Sequence, residues 1–206
     1  MGLYAKYVVP LLIDVAMRRN KDVTRLRAAW IPQARGDVLE VGIGSGLNFQ
    51  YYSREVQRVY GVDPSLELQR MARKRIAISG LPVHFLSQSA EERLPLPNES
   101  IDTVVVTWTL CSIPNVSAAL QEMRRVLKPT GRLIFLEHGR AAEPGVVAWQ
   151  DRLTPVWKRF TGGCHLNRKM DELIAGAGFQ ITELSNCYLQ GLRPMTYMYQ
   201  GFAQPM

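Results

Sequence analysis

Cysteine is scarce in this chain and long apolar runs are missing. The three cysteines, Cys111, Cys164 and Cys187, are odd in number and share no paired or C-x-x-C spacing. That argues against a disulfide framework and for a reducing compartment. The first apolar run, Tyr7 to Ile13, is bounded by Lys6 and Asp14 and falls far short of the ~20 residues that span a bilayer. No small-residue cleavage site follows it, so no secretory signal is expected and the protein is placed in the cytoplasm. Internal repeats, low-complexity tracts and linkers between domains are also lacking, and 206 residues suit a single domain.

What is present is an ordinary globular composition, 47% hydrophobic and 21% charged, which excludes disordered, collagenous and membrane-spanning classes. The net charge is +7, and much of the excess sits early, at Arg18, Arg19, Lys21, Arg25, Arg27 and Arg35. Such a patch can face nucleic acid, an anionic membrane or an acidic ligand, or can be a solvated helix face. Apolar positions Tyr4, Tyr7, Val8, Leu11, Leu12, Val15 and Ala16 form a helical stripe beside it. Only Pro10 interrupts this stripe, and proline suits a helix start better than a helix middle. Residues 1–30 are therefore expected to form a helical cover with an apolar stripe and a basic face, the latter able to rest on anionic lipid.

From about residue 37 to 138, short β-branched runs (VLEVG, VYGVD, VHFLS, TVVVTW, RLIFLEH) alternate with helical patterns. That alternation predicts a parallel sheet covered by helices on both faces. Asp63-Pro64-Ser65 is expected to cap one helix and Lys128-Pro129-Thr130-Gly131 to end another. Beyond it come a Pro- and Trp-bearing stretch, Pro144 to Phe160, and a Gly162-Gly163 break. A helix near Lys169 to Ala177 and two β-rich runs joined by Gly191-Leu192-Arg193-Pro194 follow. The last pair predicts a hairpin on the sheet edge.

The run Val38-Leu39-Glu40-Val41-Gly42-Ile43-Gly44-Ser45-Gly46 reads as a buried strand and a glycine-rich turn leading into a helix. Ligands of open parallel sheets bind at the carboxyl ends of the strands, where this turn lies. Glycines are needed where backbone approaches a ligand closely or takes positive φ. A dinucleotide site requires G-x-G-x-x-G, but Leu47 stands at the third glycine. Glu40 would add negative charge near a pyrophosphate, whereas it suits a cationic cofactor. Asp63 ends the second strand, where its carboxylate can accept hydrogen bonds from ribose hydroxyls, cap the following helix, or do both. Ser89-Ala90-Glu91 and Thr107-Trp108 fall at the same rim, either as cofactor contacts or as turn and core residues.

E-V-G-I-G-S-G, V-D-P-S, L-P-L-P-N-E-S-I-D and R-R-V-L-K-P-T-G-R-L, in this order over residues 37–138, closely resemble the class I S-adenosylmethionine-dependent methyltransferases. The resemblance implies a Rossmann-like, mostly parallel seven-stranded sheet with helices on both faces and an antiparallel C-terminal hairpin. It implies S-adenosylmethionine as cofactor, held by Glu40, Gly42, Gly44, Gly46, Asn48, Asp63, Pro64, Ser65, Ser89, Ala90, Glu91, Thr107 and Trp108. Ser89 departs from the aspartate common there. A narrower resemblance runs through T-L-C-S-I (109–113), L-E-H (136–138), W-Q (149–150), P-V-W (155–157), G-C-H-L-N-R (163–168) and the closing R-P and Y-Q-G. These segments are similar to the methyltransferase-like small-thiol methyltransferases and their bacterial relatives, a group that includes phospholipid and quinone methyltransferases. Residues 37–138 are then the cofactor core and 139–206 the acceptor cap and closing hairpin.

A sulfonium donor needs no enzyme nucleophile, so alignment in a dry pocket can carry the reaction. A base is required only for an acceptor that carries a proton. His138, at the end of the fifth strand, is the expected base, with His165 a second candidate beside the acceptor. Trp149, Trp157, Phe160 and Leu166 are expected to wall a pocket for a small, fairly apolar thiol. A phospholipid amine or a quinone is the alternative acceptor. No metal is expected, because Cys111, Cys164, His138 and His165 lack usual ligand spacing. An NAD(P)-dependent oxidoreductase is opposed by Leu47 and Glu40, and a noncatalytic cofactor-binding protein by the intact motif. T-W-T-L lacks the N/D-P-P-Y/F of base methylases, so no nucleic-acid partner is expected.

Overall fold

The computed structural model describes residues 9–206, with Tyr4, Tyr7 and Val8 of the N-terminal stripe outside the described residues. Among the described residues, seven strands form one sheet: β1 (Gly36–Val41), β2 (Val56–Val62), β3 (Val83–Leu86), β4 (Ile101–Thr107), β5 (Leu127–His138), β6 (Phe179–Tyr188) and β7 (Tyr197–Pro205). Their order is β3-β2-β1-β4-β5-β7-β6. The first five are parallel, while β7 pairs antiparallel with β5 and β6. This is the expected Rossmann-like sheet with a closing hairpin at its edge. The helices are α1 (Val9–Arg19), α2 (Lys21–Trp30), α3 (Leu66–Ser79), α4 (Val116–Val126), α5 (Pro144–Phe160) and α6 (Met170–Gly176). None is long and apolar enough to cross a membrane.

The apolar strand runs follow from burial on both faces. Val104 and Val106 of β4 join Leu39, Leu120, Leu133 and Phe135 in one core layer. Val105, pointing the other way, joins Val38, Val59, Ile134, Leu26 and Trp30 in the second. A pleated strand sends alternate side chains to opposite faces, so a strand covered twice must be apolar throughout. Asn20 caps α2 by accepting the Asp22 and Val23 amides at 3.0 and 3.2 Å. Pro10 lies in the first turn of α1, where its missing N–H is harmless.

Two expectations about helix starts are corrected. The glycine turn leads only into a single 3-10 turn, Phe49–Tyr51. Nine residues separate Gly46 from Val56, which must already stand opposite Gly36 in the parallel register. Leu26 and Trp30 of α2 instead cover that face of the sheet. The cap of α3 is Ser65, whose hydroxyl accepts the Leu68 amide at 3.3 Å. Asp63 sits two residues earlier, accepting the Ser65 amide at 2.8 Å.

Candidate functional site

A cavity of about 450 Å³ opens at the carboxyl ends of β1, β2 and β4. Of the expected cofactor residues, Glu40, Gly42, Gly44, Asn48, Asp63, Pro64, Ser89, Ala90, Glu91, Thr107 and Trp108 line it. Gly46 and Ser65 stand behind the wall: Gly46 packs near Ala72 and Phe49, and Ser65 is occupied as a helix cap.

The Asp63 carboxylate ties the ends of two strands. One oxygen accepts the Gly44 amide at 3.0 Å, the other the Ser65 amide. Each oxygen retains a lone pair for a further donor. Burial pushes its pKa up, while the two amides pull the other way. Gly42 shows why this turn requires glycine: its φ is +73°, and a Cβ would meet Thr109 Oγ1 at 2.2 Å.

Glu40 is 2% exposed. Its carboxylate accepts Asn48 Nδ2 and Tyr52 OH, each at 2.8 Å. Desolvation pushes its pKa up to about 7 against the pull of Tyr52, Asn48 and Arg27. Asn48 is a hub, donating also to Thr107 Oγ1 at 3.2 Å and accepting Arg27 Nε at 2.9 Å.

Arg27 is a cavity residue that its place in a charged run concealed. It lines the cavity, its guanidinium lies 4.7 Å from the Trp108 ring centroid, and burial lowers its pKa to about 10. Periodicity contained the signal, because Val23, Leu26, Arg27 and Trp30 occupy one buried stripe of α2. Arg27 thus leaves the surface patch, whereas Arg18, Arg19, Lys21, Arg25 and Arg35 remain exposed. Asp14 and Met17 bring α1 to the same wall. Asp14 accepts the Ser45 hydroxyl and pairs with Arg75 at 3.0 Å. The stripe members Leu11 and Ala16 are exposed, and among the described residues of α1 it is Asp14 and Met17 that meet the cavity.

After β4, Trp108 takes φ +49°, a left-handed backbone uncommon for a bulky residue. It turns the chain so that the Thr109 and Leu110 amides donate to Glu137 at 2.7 and 3.0 Å, with the Cys111 amide at 3.4 Å. A buried carboxylate in a nest of backbone N–H groups makes this loop rigid. Desolvation nevertheless pushes the Glu137 pKa up to about 7.

Neither candidate base reaches the cavity wall. His138 Nε2 faces Cys164 Sγ at 2.8 Å, and the backbone N–H of His165 donates to Cys111 O at 2.8 Å. The aromatic wall is also corrected. Trp149 and Phe160 lie on the outer face of α5, 56% and 68% exposed, while Leu166 is buried and Trp157 packs on the core. From that region only Gly162 borders the cavity; Thr109, Ser112, Ile113 and Pro114 of the loop after β4 complete it.

The methyltransferase domain family matches residues 39–135. The chain is 37% identical to thiol S-methyltransferase TMT1B of Rattus norvegicus over 191 residues, 88% of this chain and 77% of that protein. It is 30% identical to a phosphatidylethanolamine N-methyltransferase of Cereibacter sphaeroides, covering 84% of each. A possible histamine N-methyltransferase of Thermotoga maritima shares the fold at 22% identity and a TM-score of 0.68, over 98% of both chains.

Proposed function

The chain belongs to the S-adenosylmethionine-dependent methyltransferases, and from that premise we propose that its acceptor is a small, fairly apolar thiol. One observation carries the reading: among the described residues, no histidine, lysine or cysteine lines the cavity, and its carboxylates already have partners. Asp14 pairs with Arg75, Glu40 with Asn48 and Tyr52, and Asp63 with two amides. Glu91 accepts the Asn115 amide and the Ser89 hydroxyl. Among the described residues, Glu40 and Asp63 are then taken up by the cofactor and Asp14 and Glu91 by neighbouring donors, which leaves no cavity carboxylate for a lipid ammonium and no histidine, lysine or cysteine base for a phenol or an activated carbon. A thiol near its own pKa ionises without help. The names of its thiol-methylating relatives support the same choice.

The bound cofactor supplies an electrophilic methyl group on a sulfonium. Asp63 is assigned to its ribose hydroxyls, and Glu40, a buried carboxylate with a raised pKa, to its positive charge. Arg27 is suited to its carboxylate, since a buried guanidinium gains from an anionic partner. Met17, Trp108, Ile113 and Pro114 supply an apolar wall that excludes water and seats the acceptor. The three unpaired cysteines favour a cytoplasmic setting, and the exposed Arg18, Arg19 and Arg25 offer a face for anionic lipid.

The test is a labelled-methyl assay across thiols, quinols, phosphatidylethanolamine and RNA, with products identified by mass. Thiol turnover should rise with pH through the acceptor's own pKa, near ~8.5 for an ordinary thiol. Methylation of quinols or phosphatidylethanolamine with none of the thiols would overturn the reading.

A further inference from the structure

Cys111, His138 and Cys164 come from three separate segments: the loop after β4, the end of β5 and the stretch after α5. Their donor atoms, two Sγ and one imidazole nitrogen, all lie within 4.8 Å of one another. Both cysteines are buried, at 2% and 8% exposure. None of the three lines the cavity, and the transfer reaction assigns them no task. We propose that this cluster is a zinc site that clasps the three segments behind the cofactor cavity.

The donor set and its charge favour zinc. Two thiolates, a neutral imidazole and Zn2+ sum to zero charge, so the burial that disfavours a free thiolate does not penalise the complex. Cu+ in the same set would leave one buried negative charge. Beside the site, Arg168 donates to Ile113 O at 2.7 Å. Tetrahedral zinc holds sulfur at ~2.3 Å and nitrogen at ~2.0 Å, which spaces the donors roughly 3.5 to 3.8 Å apart. The existing envelope accommodates this once His138 Nε2 and Cys164 Sγ part from 2.8 Å by less than about 1 Å. Each thiol loses its proton as its Zn–S bond forms, so binding releases two protons. A water or an exogenous ligand takes the fourth position. The clasp would fix the loop after β4, whose Thr109, Ser112, Ile113 and Pro114 border the cavity, against Gly162, which borders it too. It does not depend on which acceptor is methylated.

Cobalt substitution tests the site under reducing conditions. Co2+ added to the full chain should give thiolate-to-cobalt charge transfer and tetrahedral d–d bands at one metal per chain, and Zn2+ should displace them. Cys111→Ser and Cys164→Ser should each weaken binding more than about tenfold, whereas Cys187→Ser, outside the cluster, should not. In the unmutated chain, Zn2+ should slow alkylation of Cys111 and Cys164 but leave Cys187 unprotected, a readout that survives if the variants fail to fold. Absence of tetrahedral cobalt bands, or alkylation of Cys111 and Cys164 at the same rate with and without zinc, would overturn the proposal.

Discussion

Asp63 Oδ2 accepts the Gly44 amide at 3.0 Å, so the end of β2 holds the glycine turn of β1 in place. Because the other oxygen holds the Ser65 amide, Asp63→Ala removes structure as well as a ligand contact. Each hydrogen bond to a charged group contributes ~1.5 to 3 kcal/mol. We expect calorimetry on Asp63→Ala to show S-adenosylmethionine affinity reduced more than about tenfold, together with a lower melting temperature. Unchanged affinity removes Asp63 from the ribose site.

Glu40 sets a pH dependence whose sign can be worked out. Its folded pKa, about 7, exceeds its ordinary 4.5, so the folded apo chain binds the proton more tightly than the unfolded chain. Its contribution is complete at low pH and is lost as pH rises through that window, on the order of 3 kcal/mol in all. Glu137 adds a slope of the same sign. Urea titrations over a range of pH should therefore show a smaller loss of stability with rising pH in Glu40→Gln than in the wild type. A cationic ligand favours the carboxylate, so cofactor affinity should rise with pH toward neutrality in the wild type and not in the variant.

Arg27→Met should raise the KM for S-adenosylmethionine more than about tenfold with little change in the KM for the acceptor. Arg27→Lys should recover only part, because lysine keeps the charge but loses the planar stack on Trp108 and the fixed Nε donor to Asn48. Initial rates with each substrate varied would decide it; equal effects on both KM values would count against a cofactor role.

Gly42→Ala combines a left-handed φ, worth roughly 1 to 2 kcal/mol, with the overlap on Thr109. The double variant Gly42→Ala with Thr109→Ala removes the contacts at 2.2 and 2.5 Å but retains Thr109 Cβ at 2.8 Å. Chemical denaturation should show a loss in the single variant and partial recovery in the double. Full recovery would mean that the backbone conformation is not strained for alanine.

Asp14→Ala should loosen α1 over the cavity, because Ser45 and Arg75 lose their shared acceptor. Limited proteolysis within residues 9–19 should accelerate, and acceptor turnover should fall more than cofactor affinity. Unchanged cleavage would show that α1 is held by other contacts.

Much of this was legible in linear order. Strand periodicity, the Val104 to Val106 run and the spacing from Glu40 to Asp63 report local demands: which faces are buried and where backbone must turn without a Cβ. Sequence alone therefore determined the parallel core, the closing hairpin, the rim at Glu40, Gly42, Gly44 and Asp63, and the class of cofactor. It could not determine which side chains point into the rim from remote elements. Only tertiary structure turned Arg27 inward from a charged run, carried Trp149 and Phe160 to the outer face of α5, and brought Cys111, His138 and Cys164 within 4.8 Å across three segments. The reason is physical: a period or a glycine turn is enforced by neighbours in sequence, whereas the burial of a guanidinium or the meeting of three donors depends on how the helices pack across the sheet.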